Sequence, residues 1–141
     1  MAKKELVRVR AFLQNEEGKY LVLYRKYSEK KVIMCLPGGG VEEGEDPLQA
    51  LHREVQEEVS LRLKSPVHIG DHCVPGAYEG YENTRFSFYS AGWDGEVFMP
   101  PQEVAKHAGY EWLTKSEIEW GGALKVGRCT EYGHGILSML A

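Results

Sequence analysis

The chain has 141 residues, 43% of them hydrophobic and 27% charged, with a formal net charge of −4. This is enough for one core and too little for two ordinary domains, and it excludes wholesale disorder. The longest wholly apolar run, Val32–Leu36, has five residues, far short of the roughly 20 that cross a bilayer.

The opening MAKKELVRVRAFL lacks the apolar stretch of an export signal. Cys35, Cys73 and Cys129 are odd in number and not in CxxC pairs, which points to reduced thiols and a cytoplasmic location. A mildly acidic chain is poorly suited to gripping large nucleic acids through net charge.

Val7, Val9, Ala11 and Leu13 alternate with Arg8, Arg10, Phe12 and Gln14, the period of a half-buried strand. With the loop Asn15–Lys19 and the run Tyr20–Arg25, residues 7–25 read as a hairpin. Val32–Leu36 is a short strand ended by Pro37 and three glycines. The strongest helix signal follows. Asp46 suits an N-cap, Pro47 the first helical position and Gln49 the third, which completes a capping box. Leu48, Leu51, Val55 and Val59 then recur at helical spacing, predicting a helix over about 47–59. Strands are expected at 66–74 and 84–92 across a turn-rich stretch at 75–83, then near 96–99 and at 110–113. The box Thr114-Lys-Ser-Glu117 should open a short helix, and a last helix is expected from about Thr130. The order implies a mixed α+β fold in a single domain.

The negative charge is concentrated. Residues 42–58 hold seven acidic side chains against Arg53 alone, whereas the rest of the chain has 16 Lys+Arg and 14 Asp+Glu. On the predicted helix Glu54, Glu57 and Glu58 share one face, beside the apolar stripe rather than opposite it. Like charges so placed are mutually destabilising and call for a cation. Arg53 is one partner, and a hard divalent ion such as Mg²⁺ or Mn²⁺ is another. A solvated acidic face paired to Arg53 is the plain alternative. The preceding segment Pro37–Gly44 has four glycines in eight residues, which permits close backbone approach. No Gly-Lys-Ser/Thr follows, which excludes a P-loop, and the alternating ligands of an EF-hand are missing.

Gly39 to Leu61 resembles the Nudix box, GX5EX7REUXEEXGU, where U is a bulky aliphatic residue. The chain reads Gly39, five residues, Glu45, seven residues, then Arg53-Glu54-Val55-Gln56-Glu57-Glu58-Val59-Ser60-Leu61. Pro37-Gly38-Gly39 resembles the usual lead-in, and Ser60 replaces the expected glycine. A serine there would cost on the order of 1 kcal/mol if the helix ended in a left-handed cap.

The resemblance implies an α/β/α sandwich around a mixed sheet, and hydrolysis of a nucleoside diphosphate linked to another group with Mg²⁺ or Mn²⁺ as cofactor. By the same resemblance, Glu54, Glu57 and Glu58 are metal ligands, with the Gly38 carbonyl as a further one. Glu45 is expected to pair with Arg53, orienting the carboxylates, and Gly39 to lie against the substrate. Glu103 is the candidate additional base, with Glu111 its competitor. Arg25, in the basic cluster Arg25, Lys26, Lys30, Lys31, is the candidate phosphate contact. Tyr78 is the candidate base-stacking residue among Tyr78, Tyr81, Phe86, Trp93 and Trp112, while Phe86, Phe88 and Trp112 are expected in the core. His52 should be a surface residue, and Met34 and Cys35 should pack near the glycines.

The partner implied is a small nucleotide. Pro75 and Tyr78 stand where family rules of thumb place markers of ADP-ribose and of dinucleoside polyphosphates respectively, so those rules do not choose between them. The short chain leans toward nucleoside triphosphates. A nucleotide sensor without activity is disfavoured by the intact glutamates. RNA decapping is disfavoured by the lack of a broad basic stripe. A homodimer is left open.

Overall fold

The computed structural model describes residues 5–28, 31–76 and 78–119, so the helix expected from Thr130 lies outside them. The strands form two sheets. One holds β1 (Leu6–Leu13), β4 (Gly38–Gly40), β5 (Arg62–Pro75) and β6 (Asn83–Asp94) in the order β4-β1-β6-β5. The other holds β2 (Tyr20–Ser28), β3 (Lys31–Cys35) and β7 (His107–Leu113) in the order β3-β2-β7. β1 and β6 run parallel and every other named pairing is antiparallel, which makes the larger sheet mixed. Helix α1 (Pro47–Val59) packs on β4, β1 and β5; two short helices, α2 (Pro101–Val104) and α3 (Lys115–Glu119), flank β7.

The strands of the expected hairpin exist, but they do not pair as one. A strand has two hydrogen-bonding edges, and β1 gives one to β4 and the other to β6. Only an isolated bridge, Gln14 to Tyr20, joins it to β2. Nor is β1 half-buried: every residue from Val9 to Leu13, Arg10 included, is buried.

Helix α1 has the predicted limits. Asp46 accepts from the Gln49 backbone N–H at 2.9 Å and the Gln49 side chain accepts from the Asp46 N–H at 3.0 Å, closing the capping box. Its buried apolar residues are Ala50, Leu51, Val55 and Val59, whereas Leu48, expected in the stripe, is exposed. The core gathers these with Phe12, Leu21, Leu23, Phe86 and Phe88 from both sheets. Burying each such side chain contributes roughly 1.5–3 kcal/mol before its ordering cost.

Two further expectations are corrected. Residues 96–99 are not a strand. Phe98 instead bonds the end of α1, its N–H donating to the Val59 carbonyl at 3.0 Å and its carbonyl accepting from the Ser60 hydroxyl at 2.9 Å. The three glycines at 38–40, expected only to end the preceding strand, themselves form one, in register with Arg10, Val9 and Arg8. Gly38 has φ +146°, and a Cβ there would lie 1.9 Å from the Val9 carbonyl oxygen. Only glycine allows that approach.

Ser60 occupies the left-handed conformation, φ 63° and ψ 26°. Its hydroxyl bond to Phe98 offsets the steric cost of its Cβ. Ser60→Ala, which keeps the Cβ and loses the bond, is expected to lose about 1 kcal/mol, whereas Ser60→Gly, losing both, should stay within about 0.5 kcal/mol of the parent. Thermal or urea unfolding of both variants checks this, and an Ala variant as stable as the parent would contradict it.

Candidate active site

Arg53 lies partly buried in α1, and each of its five N–H donors faces an acceptor. Nε and Nη2 reach the two Glu45 carboxylate oxygens at 2.8 and 3.0 Å, and Nη2 also donates to the Gly40 carbonyl at 3.1 Å. Nη1 reaches Glu54 at 2.9 Å and Glu57 at 3.4 Å. The bidentate pair with Arg53 holds the Glu45 carboxyl down at about 2, and the same bonds raise the already high Arg53 pKa.

The three helix carboxylates differ in surroundings. Glu57 is exposed, Glu54 is largely covered and Glu58 is buried. Burial pushes Glu54 upward despite Arg53, and it pushes Glu58 up to about 8 against the opposing charge of Arg10 and a bond from the Gly38 N–H. That N–H donates to Glu58 Oε1 at 2.7 Å. Gly39 packs on Glu54 so closely that a Cβ would fall 2.4 Å from the carboxyl carbon. The glycines thus seat the carboxylates as well as the strand.

These groups line a cavity of about 340 Å³ together with Arg8, Arg10, Arg25, Cys35, Glu103, Lys106 and His107. Of the residues singled out in the sequence, Gly38, Gly39, Arg53, Glu54, Glu57, Glu58, Glu103 and Arg25 meet here, and Glu45 reaches the cavity through Arg53. Glu103 lies in α2 rather than in a loop, and is buried. Glu111 is not among the lining residues; it accepts from the Tyr24 hydroxyl. Tyr78 is half-buried, with the Arg8 guanidinium 5.0 Å from its ring centre. Phe86 and Phe88 are core residues, Trp112 stacks on Trp93, His52 is exposed, and Met34 and Cys35 are buried. Lys26 is exposed and Lys30 lies outside the described residues.

Arg8, Arg10, Lys106 and His107 were not singled out by the sequence. Their signals were the Arg-x-Arg alternation in β1 and the Glu103-x-x-x-His107 spacing. His107 is buried, with Nδ1 3.1 Å from the Glu103 carbonyl oxygen and Nε2 3.7 Å from Glu58 Oε2. Burial pushes its pKa down, favouring the neutral ring. Glu58, Glu103 and His107 each offer a ligand atom, all within 4.8 Å of one another. The cavity therefore combines oxygen and nitrogen donors suited to a divalent ion with cations suited to phosphate oxygens.

A profile of the NUDIX domain matches residues 4–129. An RNA pyrophosphohydrolase of Rhizobium meliloti is 29% identical over 66% of this chain and 65% of its own, and one of Mesorhizobium japonicum is 32% identical over 47% and 46%. The matched region thus spans less than two thirds of these relatives' own length. Among solved structures, the E. coli ORF135 protein superposes with a TM-score of 0.71 at 21% identity, covering 87% of this chain and 84% of that one. A NUDIX hydrolase from Nitrosomonas europaea gives 0.71 at 23% identity, covering 92% and 84%. Both likenesses speak for the fold. The profile match takes in every element described above, and the chain belongs to the Nudix family.

Proposed function

We propose that this chain is a pyrophosphohydrolase that uses a divalent metal to split a nucleoside diphosphate linked to a second group. The observation that carries this reading is the convergence of Glu54, Glu57, Glu58 and Glu103 with Arg8, Arg10, Arg25 and Lys106 around one small cavity. Carboxylates alone would suit a metal and arginines alone an anion; together they suit a metal-bound pyrophosphate.

Glu54, Glu57 and Glu58 are the proposed metal ligands, with the Gly38 carbonyl completing the set. The fit is chemical: hard oxygen donors, partly desolvated, on one helix whose glycine-lined side leaves room. When bound, Mg²⁺ or Mn²⁺ polarises phosphoryl oxygens and lowers the pKa of water. Arg53 fixes Glu45, Glu54 and Glu57 relative to one another, so the carboxylates need not reorganise as substrate binds. Arg25, with Arg8 and Arg10, neutralises the phosphates, and Gly39 gives the substrate close backbone approach. Glu103, buried beside Glu58, is the proposed acceptor of the proton from the attacking water. Tyr78 is not among the lining residues but is held against Arg8, which is, and it is the proposed contact for the base.

A nucleoside triphosphate is the favoured substrate. A triphosphorylated RNA 5′ end is the second reading, favoured because relatives over much of this chain are named RNA pyrophosphohydrolases. The deciding experiment incubates the protein with Mg²⁺ or Mn²⁺ and nucleoside triphosphates, ADP-ribose, dinucleoside polyphosphates or 5′-triphosphorylated RNA. Phosphate release is then followed after adding inorganic pyrophosphatase or alkaline phosphatase separately. Turnover of a triphosphate is expected, and no turnover of any substrate with either metal would point to a nucleotide sensor instead.

Two predictions follow from the site. Glu57→Gln and Glu58→Gln should each cut kcat/KM by at least about 100-fold, since even partners of metal ligands cost 10–100-fold, while circular dichroism stays unchanged; near-normal turnover in both would contradict the ligand assignment.

The second concerns pH. The metal-free folded protein holds Glu58 protonated up to about 8, above an unfolded carboxyl. Its neutral form therefore favours folding at low pH, and that contribution declines as pH rises from the ordinary carboxyl range through 8. Metal needs the ionised form, so Mn²⁺ affinity should rise up to about tenfold per pH unit until near 8. Calorimetric titration from pH 6 to 9 checks this, and an affinity independent of pH would contradict it.

A further inference from the structure

We propose that His107 supplies a nitrogen ligand, beside Glu58, to the divalent cation of this site, shifting its preference from Mg²⁺ toward transition ions such as Mn²⁺. The inference rests on the metal-dependent reading above and adds a donor to it that the helix carboxylates do not provide.

The argument begins with the ring's proton. The Glu103 backbone carbonyl can only accept a hydrogen bond, and it lies 3.1 Å from His107 Nδ1. Nδ1 therefore carries the hydrogen, and in the neutral ring Nε2 is left with the lone pair. That nitrogen faces Glu58 Oε2 at 3.7 Å, beyond hydrogen-bond reach. The residue is only 5% exposed, and Glu58 8% and Glu103 7%, so water does little to satisfy the Nε2 lone pair where it faces Glu58 Oε2.

A cation between them would. Two donors, each about 2.1 Å from one ion, lie roughly 3–4 Å apart, and the observed separation falls in that range. The bond from Nδ1 to a backbone carbonyl is also the arrangement that orients an imidazole for metal. The Glu103 carboxylate belongs to the same 4.8 Å cluster and lies 3.6 Å from Nδ1, the nitrogen that carries the hydrogen.

The chemistry sets the direction of selectivity. Mg²⁺ favours an all-oxygen shell, whereas imidazole nitrogen binds first-row transition ions more readily. An oxygen-only site made by Glu54, Glu57 and Glu58 has no such bias.

Pulsed electron paramagnetic resonance on the Mn²⁺-loaded full chain tests the assignment directly. Protein with ordinary histidine and protein with ¹⁵N-histidine should give different directly coordinated nitrogen couplings, and His107→Gln should lose the coupling. Calorimetric titrations should show the ratio of Mn²⁺ to Mg²⁺ affinity falling by about tenfold or more in His107→Gln. His107→Asn replaces it if the Gln variant fails to fold by circular dichroism. One bound Mn²⁺ with no nitrogen coupling, alongside metal-dependent turnover, would overturn the His107 assignment and leave the pyrophosphohydrolase reading standing. Failure to bind Mn²⁺ at all would overturn both.

Discussion

Glu54 and Glu57 crowd one helix face, and the local structure depends on how Arg53 holds them. Its planar guanidinium meets Glu45 with two bonds, the Gly40 carbonyl with one, and Glu54 and Glu57 with one each. The helix, the segment before it and strand β4 are thereby tied through one side chain. Lysine could neutralise the same charge but offers no fork, so it could not fix these directions together. Glu58 is left out of the clamp and is instead held by the Gly38 N–H and faced by His107. The proposed ligand set thus has a part clamped by Arg53 and a buried part whose charge depends on what binds beside it.

The glycines make that arrangement physically accessible. With any side chain at position 38, β4 could not approach Val9, and with one at 39 the Glu54 carboxyl would be displaced. Strand pairing and carboxylate placement use the same absence of Cβ atoms. β4 lies along one edge of β1 as a result, in register with Arg8 and Arg10, and both arginines line the cavity.

Local signals in the sequence were strong where the interaction is local. The capping box at Asp46–Gln49 and the one at Thr114–Glu117 are both formed, and α1 has the limits its apolar spacing predicted. The box from Gly39 to Leu61 was equally legible, because its spacing carries the helix face and the clamp together. What stayed hidden depends on pairing across the chain. Nothing near Val7–Arg25 reveals that β1 would give both edges to β4 and β6. Val97 and Met99 look strand-like, yet the segment spends its bonds on the end of α1. His107 belongs to the site only because β7 pairs with β2 at Arg25 and α2 turns Glu103 inward, neither of which its neighbours in sequence disclose.

The central claim is that the clamped helix and the buried cluster beside it form one metal site facing phosphate-binding arginines. It is tested most directly by a crystal structure with Mn²⁺ and a non-hydrolysable nucleoside triphosphate, using anomalous scattering to locate the metal. The account predicts a Mn²⁺ peak in ligand contact with Glu58, with the triphosphate between it and Arg25. A fully occupied nucleotide elsewhere, with no metal at these carboxylates, would contradict it.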